Sequence, residues 1–182
     1  MNDTTEATAT NLAVWKRDDK EKRAPLDARL LSAELYLAEP VRKGVAYPRQ
    51  RNYHGYYWMA STGAHVWHES LHERDWLMWL DFAGDTVAVA SQPMKLTGSD
   101  GVIRYPDFLA LDARGVQTVY DVKPAARITT KVHTQFEWTR DLCQDIGWDY
   151  RVLAGLIRRL GDQLPRLCTA HRGRPRQTLG DR

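Results

Sequence analysis

Two rhythms of apolar and polar positions alternate along this chain. Over 70–81, Leu77 and Leu80 recur at a helical interval, and Ser70 and Glu73 have capping-box spacing, which predicts a helix from Ser70 to Asp81. Over Thr130–Ile146, the residues Val132, Phe136, Leu142 and Ile146 mark a second helix. A shorter helix, rich in Leu and Ala, is expected over 25–38, opening at Pro25. The other apolar runs are short and read as strands. Tyr56–Ala60 and Ala64–Trp67 flank a turn at Ser61-Thr62-Gly63. Thr86–Ala90 is interrupted by Gln92-Pro93. Val102–Leu111 and Val116–Lys123 flank a turn at Asp112–Gly115, Pro124 stops the second of them, and Asp149–Leu156 is the last strand. This order of elements predicts an α/β fold, a central mixed β-sheet flanked by helices.

A chain of 182 residues with 43% apolar content supports one domain with a real core. Residues 1–24 are polar and charged and are expected to be a disordered tail. The folded domain is placed at 25–157, and 158–182 is a basic C-terminal tail. No apolar run reaches the roughly 18 residues of a membrane span, and the first residues lack the parts of a secretion signal. A cytoplasmic location is expected, with Cys143 and Cys168 as reduced thiols.

The formal charge of +3 is unevenly spread. Residues 11–51 hold ten Lys or Arg against six Asp or Glu, residues 52–157 nine against thirteen, and residues 158–182 seven against two. Basic ends can neutralise phosphates, and an acidic middle can hold cations. Ordinary solvated surface has the same pattern.

The chemistry concentrates in RYPDFLALDARGVQTVYDVKPA, residues 104–125. Asp121 and Lys123 are two apart in a strand and share a face, while Val122 points to the other. The turn at Asp112–Gly115 brings Asp107 beside them. Two carboxylates suit Mg²⁺, a hard cation that prefers oxygen ligands and activates water against a phosphodiester; Mn²⁺ accepts the same ligands. The Val122 carbonyl is a further candidate ligand, and Lys123 a candidate for stabilising charge on the phosphoryl oxygens. The pattern is that of a PD-(D/E)xK nuclease acting on double-stranded DNA. Glu73 is the candidate third carboxylate, although it also completes a helix cap, and Glu69 competes with it.

Lys131, Gln135 and Trp138 share a helix face, where Lys131 and Gln135 can meet phosphate or simply solvate the helix. Arg49, Arg51, His54, Tyr56 and Tyr57 can follow a nucleic-acid backbone or form an exposed strand. His65, His68 and His72 lack the spacing of a zinc site.

Four pieces together carry a family resemblance: ESLHERDWLMWLDF at 69–82, VAVASQP at 87–93, RYPDFLA at 104–110 and DVKPA at 121–125. Over roughly 50–157 the chain resembles the TnsA family, the endonuclease subunit of Tn7-like heteromeric transposases. The resemblance implies a restriction-endonuclease-like core, with Glu73, Asp107 and Lys123 matching the family's glutamate, aspartate and lysine. It implies cutting at the 5′ ends of a transposon, beside a DDE-type transposase subunit (TnsB-like) and an AAA+ ATPase regulator (TnsC-like). Better-known members carry a further C-terminal domain. Here about 25 residues follow the last expected strand, so basic tails, a partner or self-association are expected to take over its role. A restriction, phage or repair nuclease is the enzymatic alternative, and a non-catalytic DNA-binding subunit the other.

Overall fold

The computed structural model describes residues 11–42 and 53–154. In chain order they form β1 (Leu12–Arg17), β2 (Lys20–Pro25), two short 3₁₀ turns (Ala28–Ala33 and Leu35–Leu37), β3 (Gly55–Met59), β4 (Ala64–His68), α1 (Leu71–Ala83), β5 (Thr86–Ser91), β6 (Lys95–Thr97), β7 (Ile103–Arg104), β8 (Phe108–Asp112), β9 (Gln117–Val122), a third 3₁₀ turn (Ala125–Arg127), α2 (Thr130–Ile146) and β10 (Asp149–Leu153).

The central sheet has the order β10-β9-β8-β5. It is mixed: β10 runs parallel to β9, while β9–β8 and β8–β5 are antiparallel. Alternation along its strands feeds two cores, as the two-residue period of a strand requires. Phe108, Ala110 and Tyr120 pack with Trp76, Leu77 and Leu80 of α1. Leu109 and Val119 turn the other way, onto Leu142, Cys143 and Ile146 of α2. The sheet therefore lies between the two helices. Leu77, Leu109 and Val119 are fully buried, and truncating such a Leu to Ala costs about 2–5 kcal/mol. The Cys143 thiol is pushed up to about 12 by burial and then by the charge of Asp121, so it packs rather than reacts. Cys168 lies outside the described residues.

The β8–β9 hairpin turns where its sequence predicts. The Asp112 carboxylate accepts the Arg114 and Val116 amides, and Gly115 supplies the left-handed residue. Both long helices begin on hydroxyl caps: Ser70, as its spacing with Glu73 predicts, and Thr129, whose hydroxyl accepts the Val132 amide.

Several expectations are corrected. Residues 11–24, placed in a disordered tail, belong to the β1–β2 hairpin, and 1–10 lie outside the described residues. Asp18 and Asp19 both take left-handed φ, the geometry of a two-residue hairpin turn. Ala13 and Trp15 alternate into the core, and this pair drives the ordering despite the flanking charges. The helix expected over 25–38 is two 3₁₀ turns divided by Glu34 at φ 49°. Leu30 and Leu35 are five apart, off the α-helical repeat, and separate turns let both be buried.

The long strand Val102–Leu111 is broken. Ile103–Arg104 pairs with β6 in a second sheet, ordered β2-β1-β6-β7, whereas Phe108–Asp112 joins the central sheet. Pro106 lies between them and cannot donate to a ladder. The short strand Lys95–Thr97 was not anticipated. The last strand ends at Leu153, and residues 155–182, with the basic tail, lie outside the described residues. No described helix is long and apolar enough to cross a membrane.

Candidate functional site

The chain changes sheets across Tyr105-Pro106-Asp107, and this crossing fixes Asp107. Its amide donates to the Tyr120 carbonyl at 3.1 Å, and its carbonyl accepts the Gln92 amide at 2.8 Å. The residue is thus tied to both neighbours of β8 at once. The β8–β9 register ends at Phe108–Tyr120. Beyond it, Oδ2 of Asp107 accepts the Val122 amide at 2.6 Å, and the carboxylate stands where a strand carbonyl would. On the other side of β9, the Lys123 amide donates to Leu153 and prolongs the parallel pairing with β10.

These constraints build one wall of a cleft of about 710 Å³. Glu73, Asp107, Asp121, Val122, Lys123 and Gln135 all line it, and so does Glu69. The cations Arg42, Arg104 and Arg127 also border the cleft.

Asp107 is half-buried, and its carboxyl is held well above the usual carboxylate range. Burial is the largest cause; the negative charges of Asp121 and Glu73 follow, opposed by the Val122 amide and Arg104. Three carboxylates therefore share one electrostatic neighbourhood, which a cation would relieve.

Glu73 is buried in the first turn of α1. Its carboxylate accepts the Ser70 hydroxyl at 2.8 Å and the Glu69 amide at 2.6 Å, while Ser70 Oγ accepts the Glu73 amide at 3.2 Å. The cap reading of Glu73 is therefore realised, and the same side chain also lines the cleft. Burial raises its pKa, and the bonds from Glu69 and Ser70 oppose that rise. The competing Glu69 carboxylate is paired with Arg42 at 3.1 Å.

Asp121 is 3% exposed. Its Oδ2 accepts Arg104 Nη2 at 2.7 Å and the Tyr150 hydroxyl at 2.7 Å. Arg104 also lies over the Phe136 ring at 5.7 Å and reaches Gln135 and Thr139 at 3.4 Å. Burial, and then the charge of Asp121, push the Tyr150 phenol up, so it stays a donor. Neither partner of Asp121 was anticipated from the sequence. Arg104 was within reach of sequence reading, three residues before Asp107 in the same motif. Tyr150 was not, because it reaches Asp121 only through the β9–β10 pairing.

The donor set is all oxygen, which fits Mg²⁺ in kind. Among the described residues, no three His, Cys, Asp or Glu side chains are already arranged to hold a metal ion, and Glu73, Asp107 and Asp121 each engage protein partners. The three histidines do not converge: His65 is exposed on β4, His68 is buried, and His72 lines the cleft.

Of the further candidate phosphate contacts, Gln135 lines the cleft, whereas Lys131 is exposed on α2 outside the lining. Arg49 and Arg51 lie outside the described residues. Tyr57 does not point outward as a backbone contact would: it packs against the α1 core, and its hydroxyl donates to Asp81 at 2.9 Å.

No family model matches this chain, and neither does any curated protein.

Proposed function

We propose that this chain is a metal-dependent DNA endonuclease whose PD-(D/E)xK site is Glu73, Asp107, Asp121 and Lys123 on a restriction-endonuclease-like core. The observation that carries the reading is the 2.6 Å bond from the Val122 amide to the Asp107 carboxylate. It couples the PD aspartate to the residue between Asp121 and Lys123, in a cleft that all of them line.

Asp107, Asp121, Glu73 and the Val122 carbonyl are the groups that would hold Mg²⁺, with Mn²⁺ as a substitute. A bound Mg²⁺ supplies a polarised phosphoryl group and a water of lowered pKa. The protein's own contributions are positional and electrostatic. Asp107 is fixed through its backbone to β5 and β9, so its carboxylate is pre-oriented. Lys123 carries the positive charge that stabilises the phosphoryl oxygens as negative charge grows on them. Arg104 neutralises Asp121 and holds its carboxylate in one orientation. Gln135 offers an amide to a neighbouring phosphate, and Arg42 and Arg127 at the cleft border draw in the DNA backbone.

The biological setting is proposed from the family resemblance: cutting at the 5′ ends of a transposon, alongside a TnsB-like DDE transposase and a TnsC-like AAA+ ATPase. The test is nicking of labelled transposon-end DNA with Mg²⁺, Mn²⁺ or Ca²⁺, with and without a DDE transposase partner. Cleavage with Mg²⁺ and Mn²⁺ but little with Ca²⁺ supports the reading. Wild-type rates from Asp107→Asn would sink it.

A further inference from the structure

The β3–β4 hairpin forms a two-stranded sheet of its own. Its inner face is conventional: Met59 and Val66 are buried against α1, and the Asp81 carboxylate accepts the Tyr57 hydroxyl and the Ala60 and Ser61 amides. Its outer face is different. Tyr56 pairs across the strands with Trp67, and Trp58 with His65, so all four rings share that face. They meet edge to face, Tyr56–Trp67 at 5.1 Å and Trp58–His65 at 4.9 Å, and His54 extends the row onto Trp67 at 5.3 Å. Tyr56 and Trp58 remain 58% and 53% exposed. Large rings contiguous on one exposed face form a patch of the kind that marks an interaction site.

Two observations identify the chemistry of the cover. First, residues 40–68 contain four Lys or Arg, three His and no Asp or Glu, in a stretch otherwise rich in aromatics. A stretch of that composition favours a polyanion that offers flat apolar groups. Second, Tyr53, two residues before β3 and 71% exposed, lines the same cleft as Glu73 and Asp107, so the chain passes from that cleft directly into the hairpin.

We infer that the outer face of the hairpin, Tyr56 and Trp58 with His65 and Trp67, is a stacking platform for unpaired bases of a nucleic-acid strand leaving the cleft. The inference extends the nuclease reading: duplex enters the cleft, and a frayed or single-stranded end is held beside it. Stacking tolerates any base, so the platform contributes affinity without sequence preference.

The test measures binding by the full chain in EDTA, with a fluorescein-labelled oligothymidylate and a blunt duplex of mixed sequence. Tyr56→Ala with Trp58→Ala should weaken oligothymidylate binding roughly 5- to 100-fold for each stacked base lost. Duplex binding should stay near wild type, and Trp58→Phe should restore most of the loss. Tyr56→Leu with Trp58→Leu keeps the apolar cover while removing the stacking face, and should behave as the double alanine variant does. Wild-type oligothymidylate affinity in either double variant overturns the platform, as does an equal loss on both probes. A change in sedimentation without a change in oligothymidylate affinity marks the face as a protein contact and also overturns it. Absence of Mg²⁺-dependent cleavage by the wild type would sink the nuclease reading alone, because binding in EDTA requires no metal.

Discussion

Asp107 and Val122 are fifteen residues apart in sequence, and the carboxylate of one accepts the amide of the other at 2.6 Å. That bond spans the open end of the β8–β9 hairpin, where the ladder has run out. It gives a half-buried amide its partner, and the Asp107 carboxylate lines one cleft with Asp121, Glu73 and Lys123.

Asp107→Asn keeps an oxygen that can accept the Val122 amide and removes the charge. Cleavage should fall about 100-fold or more, on the expectation that metal-driven activation supplies several kcal/mol. Far-ultraviolet circular dichroism should be unchanged. Asp121→Asn should lose activity similarly, but with a stability cost, because Arg104 and Tyr150 both rely on that carboxylate.

Stability should run the opposite way to activity at Asp107. Its folded carboxyl titrates well above the ordinary range, from burial first and then from Asp121 and Glu73. A raised acid contributes its stability fully below the unfolded carboxylate pKa and loses it as pH rises through the folded value. Metal-free protein should therefore lose stability as pH climbs from the ordinary carboxylate range to that raised value. Asp107→Asn should flatten this slope and raise the metal-free Tm at neutral pH, and Mg²⁺ should stabilise wild type more than the variant. A steeper or unchanged slope of Tm against pH in the variant would refute the assignment.

Arg104→Met should be destabilising by about 3–5 kcal/mol, because it strands a buried carboxylate without its countercharge. Tyr150→Phe should cost less, about 1.5–3 kcal/mol for a bond to a charged group. Both donors meet the same Asp121 oxygen, so urea melts of the double variant should depart from the sum of the singles.

Glu73 and Ser70 can be separated by their readouts. Ser70→Ala removes the cap acceptor for the Glu73 amide and should cost about 0.5–2 kcal/mol with little change in the cleavage step. Glu73→Gln keeps oxygen and shape but not charge. A residue that only caps would change mainly Tm; one that holds Mg²⁺ would lower the rate and raise the metal concentration at half-activity.

Local pattern was enough to locate both long helices, the Ser70 cap and the β8–β9 turn, because each depends on residues within a few positions of one another. It also expected Asp107, Asp121 and Lys123 close together, and all three line one cleft, although β9 ends at Val122, one residue before Lys123. It failed for residues 11–24, where charge outweighed the two core positions Ala13 and Trp15, and at Pro106, where one apolar run belongs to two sheets.

What only the tertiary structure decided is who shares the site. Arg104 and Tyr150 both reach Asp121, one from a strand of the second sheet and the other across a parallel pairing closed by the whole length of α2. The outward face of Tyr56 and Trp58 was equally beyond local pattern, since it depends on α1 covering the other side of the hairpin. The physical reason is common to all three. A residue's spacing in the chain fixes its neighbours along a helix or strand, but the partners that neutralise, orient or cover it come from elements that meet only when the core closes.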